Sequence, residues 1–158
     1  MNAPSLAKVG LEVMFGPDEV RRTIPQREPF VLIDGIVDYR PGERCTSYRY
    51  VDPVDPVFRG HFPGEPVLPG VHLIENMAQT GCFLVAREDG EKAGERFYVL
   101  ARVSDCSFNR PVKPGETVLT EAEITRRFDR VCILSCRASV GGEKAAQAEL
   151  IVSSVDRR

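Results

Sequence analysis

Only two histidines, His61 and His72, occur in the chain, and its five cysteines form no framework. Cys45, Cys82, Cys106, Cys132 and Cys136 are odd in number and scattered, which leaves no disulfide scaffold to organise the fold. Cys132 and Cys136 lie four apart in a strand-like run and face the same side. Without a second cysteine pair or a His-x-x-x-His spacing they read as small buried hydrophobes, not as half a metal site. A basic bias is missing too: the formal net charge is −2, which argues against a general nucleic-acid binder. No run of about 18 uncharged apolar residues is present, so no membrane span is expected. The first sixteen residues lack a continuous apolar segment and a small-residue cleavage site, so no signal peptide and a cytoplasmic location are expected. No Ser-His-Asp order, Walker loop or Rossmann glycine pattern is found.

What is present suits one globular domain: 158 residues, 42% of them hydrophobic, are enough for a real core. Residues 1–16 are weakly patterned and read as a loosely ordered extension, with a single domain over 17–158. A short helix is expected over Gly16–Arg22, with Pro17 and two acids in its first turn. Phe30–Tyr39 reads as a strand, Arg40-Pro41-Gly42-Glu43 as a type II turn, and Arg44–Val51 as a second strand. Val71–Ala86 is apolar on nearly every face and reads as a buried helix, followed by a polar link over Glu88–Glu95 with Gly90 as the stop. Four extended runs follow, over Phe97–Phe108, Thr117–Phe128, Val131–Val140 and Lys144–Val155. This order predicts an α+β fold, with one curved antiparallel sheet wrapped around a long buried helix.

The chemistry concentrates where turn signals are densest, in Arg59-Gly60-His61-Phe62-Pro63-Gly64-Glu65-Pro66-Val67-Leu68-Pro69-Gly70-Val71. His61 precedes two Pro/Gly turns and can serve as a general base near neutral pH. Glu75 lies just over one turn into the apolar helix, where a carboxylate needs a partner or a purpose. The amides of Gly70 and Val71, at the helix start, lack intrahelical acceptors and can hold an oxygen that gains negative charge. A base, an acid and an oxyanion site are the parts for removing a proton beside a carbonyl. His72, three residues before Glu75, reads as structural.

The segment GHFPGEPVLPGVHLIENMAQ strongly resembles the signature of β-hydroxyacyl-acyl-carrier-protein dehydratases of the FabZ type. Two flanking motifs resemble that family as well. Ile24–Asp34 is similar to its L-P-H-R-Y-P-F-L-L-V-D opening, and Phe108–Glu116 to its F-x-R-P-V-x-P-G-D segment. The resemblance spans about residues 17–155. It implies the hot-dog fold and loss of water from 3-hydroxyacyl thioesters on acyl carrier protein, with no cofactor and no metal. It also implies His61 and Glu75 as the catalytic pair, met across a homodimer that can assemble further as a trimer of dimers. Gln79 would line or brace the site, and Tyr98 falls near a family tyrosine that gates the acyl tunnel.

Several positions depart from the family pattern. Gln26 replaces a histidine and Glu28 an aromatic, Asn76 stands where a small residue is common, and Arg102 where glycine is. None removes the pair, so these departures bear on chain length and pathway. Arg102, Arg110 and Lys113, with Arg126, Arg127 and Arg130, could offer an acidic carrier protein a basic patch. A hot-dog thioesterase, an isomerising dehydratase and a non-catalytic acyl-binding subunit are the alternatives left open.

Overall fold

The structure is a computed structural model that describes residues 10–90 and 94–158. Residues 1–9 of the expected extension, and 91–93 of the polar link, lie outside the described residues. Among the described residues, two α-helices and six strands follow in the order α1 Pro17–Thr23, β1 Gly35–Arg40, β2 Arg44–Tyr50, α2 Gly70–Glu88, β3 Arg96–Phe108, β4 Thr117–Arg127, β5 Val131–Val140 and β6 Glu143–Asp156. A single 3₁₀ turn, Pro56–Arg59, precedes the histidine segment.

All six strands join one antiparallel sheet in the order β1-β2-β4-β5-β6-β3. Alternation of apolar and polar residues drives this, and β5 shows it plainly: Cys132, Leu134, Cys136 and Ala138 are buried, while Ser135 and Arg137 face water. The two cysteines of β5 therefore serve as core hydrophobes on one face. Gly42 takes φ +70 and the Glu43 amide donates to Arg40 O, as the type II reading of that turn requires.

Helix α2 lies across the concave face of the sheet. Leu73, Met77, Cys82 and Val85 pack against Val118, Leu134, Leu150 and Val152, while Phe83 and Leu84 join Val20, Ile24, Ile33 and Ile36 in a second cluster. At Gly81 a Cβ would fall 2.3 Å from Leu134 Cδ1, so the missing side chain sets how closely α2 can approach β5. Among the described residues, no helix is long and apolar enough to cross a membrane.

The expected strand over Phe30–Tyr39 is a correction. Only Gly35–Arg40 pairs in the sheet, because side chains of α2 take the backbone of the segment before it. Leu32 N donates to Gln79 Oε1 (2.8 Å), and Gln79 Nε2 and Asn76 Nδ2 donate to Phe30 O and Leu32 O (2.7 and 2.6 Å). The apolar run there reads like a strand, yet its hydrogen bonds go to a helix.

The two sheet edges differ. Phe15 bridges Ile36 on β1, and its ring packs against Tyr39 and Phe83 beneath the Arg87 guanidinium. The outer edge of β3 has no strand beside it among the described residues and carries the part-exposed Val99, Leu100 and Val103.

Candidate active site

The turn-rich segment positions His61 through backbone bonds. His61 N donates to Val57 O (3.0 Å), and Val67 N donates to His61 O (3.0 Å). Val67 O lies 2.7 Å from His61 Nδ1. A carbonyl oxygen can only accept, so Nδ1 carries the hydrogen and the neutral ring leaves Nε2 bare as a base. The Phe62 ring stacks on the imidazole at 3.9 Å between centroids.

Behind this loop stands a buried support. Arg49 on β2 is 7% exposed, and its Nη2 lies 3.6 Å from Asp55 Oδ2. The other oxygen of Asp55 accepts from Val57 N at 2.9 Å and starts the 3₁₀ turn whose carbonyl holds His61. Sequence reading missed Arg49; a lone arginine within a strand carries no motif. His72 is half-buried, with its Nδ1 buried and without a hydrogen-bond partner among the described residues.

His61 opens onto a cavity of about 540 Å³ that it shares with Val67, Gly70, Val71, Ile74 and Phe108. Pro69 ends the loop and caps α2, and His72 N turns back to Pro69 O (2.9 Å). The amides of Gly70 and Val71, ahead of it, have no intrahelical acceptor. A Cβ on Gly70 would stand 2.8 Å from the Phe108 ring, so the closeness of that ring requires glycine. Leu68 N donates to Val112 O (2.8 Å), which ties the loop to the Pro111-Val112 segment.

Glu75 lines a different cavity, of about 360 Å³, with Gln26, Ala78, Cys82, Tyr98 and Leu100. Gln79 Nε2 donates to its Oε1 at 3.0 Å. Gln79 is fully buried and divides its amide between Glu75 and the Phe30–Leu32 backbone, so it braces the acid against the rest of the fold. Asn76 is equally buried: it accepts from Thr120 Oγ1 and donates to Leu32 O. Tyr98 is 7% exposed, with its hydroxyl on Asp89 Oδ2 (2.6 Å), and burial followed by that bond pushes its pKa upward. Burial, then the charge of Glu75, pushes the Cys82 thiol up to about 12, so it stays a neutral wall.

Within one subunit, then, His61 and the start of α2 share a cavity and Glu75 faces another. Of the basic residues expected to form a patch, several hold carboxylates of this chain. Arg110 lies 2.8 Å from Glu116 and 3.4 Å from Glu143, Arg127 binds Asp89, and Arg130 binds Asp156. Arg102 and Lys113 are exposed.

The FabA-like domain family matches residues 24–149. Two curated relatives, both named 3-hydroxyacyl-[acyl-carrier-protein] dehydratase FabZ, come from Staphylococcus epidermidis and Staphylococcus carnosus. They are 37% and 36% identical to this chain over 146 residues, covering 92% of it and 99% of each relative. Among solved structures, the dehydratase heterocomplex ApeI:P from Xenorhabdus doucetiae superposes with a TM-score of 0.74 at 17% identity, over 87% of this chain and 91% of that one. A mutant thioesterase from Pseudomonas aeruginosa superposes at 0.65 and 16% identity, over 93% and 99%. At such identities those two speak for the hot-dog fold alone, which the six-stranded sheet around α2 displays. Family match, relatives and fold agree, and this chain belongs to the FabA-like domain family, on its FabZ dehydratase branch.

Proposed function

We propose that His61 and Glu75 carry out the dehydration of 3-hydroxyacyl-[acyl-carrier-protein] to trans-2-enoyl thioester, the activity of the chain's FabZ branch in fatty-acid biosynthesis. The observation that carries the assignment is the bare Nε2 of His61 on a cavity shared with the Gly70 and Val71 amides. Neutral His61 takes the α-proton while the two amides hold the thioester oxygen as enolate character develops. Glu75 orients or protonates the departing hydroxyl. One subunit separates His61 and Glu75 into two cavities, and this supports a site shared across a two-fold dimer, His61 of one protomer with Glu75 of its partner. The uncovered edge of β3 is the natural seam for that dimer, since an unpaired edge strand invites pairing with a second copy. A trimer of such dimers and a cytoplasmic location belong to the same proposal.

The carrier protein would approach over Arg102 and Lys113; the ion pairs of Arg110, Arg127 and Arg130 leave those three less to offer. Charge reversal at Arg102 and Lys113 should raise KM for carrier-bound substrate and leave a small thioester mimic unaffected; equal effects on both would reject this docking face.

A single assay tests the reaction. A 3-hydroxyacyl thioester is supplied while enoyl absorbance and free thiol are followed together. Enoyl product without thiol is expected, and thiol release without enoyl product would assign a thioesterase instead.

A further inference from the structure

Away from His61, near the C-terminal end of α2, a cavity of about 340 Å³ opens between α1, α2, the start of β3 and the chain end after β6. Among the described residues its lining includes four arginines, Arg22, Arg27, Arg96 and Arg157, and a single carboxylate, Asp89. That carboxylate is already committed: one oxygen accepts from Tyr98 Oη and the other from Arg127, which does not line the cavity. Among the described residues Arg27 donates only to the backbone carbonyls of Ile24 and Gln26. Arg22 reaches Glu19 at 3.4 Å, and the other oxygen of Glu19 belongs to Arg87. Arg96 and Arg157 have no ion-pair partner among the described residues, and Asp156, beside Arg157 in sequence, pairs with Arg130. Four like charges gathered around one cavity repel, and an entering anion relieves them. Guanidinium forks match the paired oxygens of a carboxylate, as they do those of a phosphate.

The second observation is what lies next to it. The cavity of Glu75 and the arginine cavity share Pro25, Cys82, Phe97 and Tyr98 as a common wall. At 1.5 Å per residue, α2 rises roughly 10 Å from Glu75 to Cys82 and roughly 16 Å from Glu75 to Ala86. An extended chain advances about 1.2 Å per bond, so about eight to thirteen bonds span the interval. Ala78, Cys82 and Phe97 line the Glu75 cavity, so a chain extended from it toward the arginines would run along them, and the Tyr98 hydroxyl is held by Asp89. A carrier arm threaded there would leave its amides without partners, whereas methylenes need none.

We propose, building on the dehydratase reading, that the arginine cavity is the terminal subsite of the acyl channel and receives a carboxylate at the far end of the chain. The enzyme then acts on 3-hydroxyacyl thioesters that end in a carboxylate, with the terminal carboxylate held by Arg96 and Arg157 and flanked by Arg22 and Arg27.

The test compares two 3-hydroxyacyl phosphopantetheine thioesters of equal length, roughly twelve to sixteen carbons by the same chain geometry, one ending in methyl and one in carboxylate. The full-length protein should favour the carboxylate form in kcat/KM by about tenfold or more, the scale of a charge-assisted hydrogen-bonded pair. In the double variant Arg96→Gln/Arg157→Gln the ratio should fall to about one. A ratio near one in the unmodified protein would overturn the proposal. So would a variant that slows both substrates equally, which would place the arm's phosphate, not the acyl terminus, among the arginines. Calorimetry with the saturated twins, which lack the hydroxyl, reads the same subsite without turnover. Tighter binding of the carboxylate twin, lost in the double variant, sustains the subsite even if the chain dehydrates nothing. Equal binding of the twins overturns it even if the chain is a fully active dehydratase.

Discussion

At the scale of single residues, what matters is how each titrating group is held. Val67 brackets His61 from both sides, so its tautomer is set by the fold and not by substrate. His61→Ala and Glu75→Gln should each lower kcat/KM by roughly 10²–10⁴-fold, the range for a lost general acid or base, with an unchanged melting profile. Full activity in either, measured by enoyl absorbance, would remove that residue from the chemistry. His72 behaves differently. Burial, and next the Arg49 guanidinium, hold its pKa below the usual histidine value, against the pull of Asp55. A depressed folded-state pKa means that the unfolded chain takes up the proton first as pH falls through about 6.5. Stability present at neutral pH is therefore lost on acidification, and His72→Gln should flatten that loss between pH 7.5 and 5 in urea titrations. An identical slope in the two proteins would contradict the assignment.

At the scale of elements, α2 supplies core, brace and site together. Gln79→Leu leaves the Leu32 amide and the Phe30 carbonyl without their helix partners and frees Glu75. A cost of roughly 2–4 kcal/mol is expected from the buried groups left unpaired, with faster hydrogen exchange at Leu32 and a lower kcat. Gly81→Ala should cost about 1–3 kcal/mol, since the added methyl must push the buried Leu134 aside. An unaltered denaturation midpoint would show that β5 yields freely there. These two positions also mark what could be read from the chain. Helix α2 and strands β4 to β6 were legible because one carries an unbroken apolar run and the others alternate with period two. Phe30–Asp34 was not: its apolar pattern suits a strand, and its bonding to Gln79 and Asn76, more than forty residues away, leaves no local trace. The catalytic candidates stood out through their dense turns and a carboxylate in an apolar helix. Arg49, and the arginines gathered from α1, β3 and the chain end, come together only on folding.

At the scale of the whole molecule, one subunit holds the parts of the proposed site in two places. His61 and the helix amides face one cavity, and Glu75 faces the other. A closed two-fold pair brings unlike surfaces of the two protomers together twice, so a shared site would occur twice per dimer. The most direct test mixes the two inactive variants. His61→Ala keeps its glutamate, and Glu75→Gln keeps its histidine, so a heterodimer isolated with two different tags has one intact site. Such a heterodimer should recover about half the activity of the unmodified dimer, because one of its two symmetric sites is whole. A heterodimer as inactive as either parent would contradict a site built across the subunit boundary.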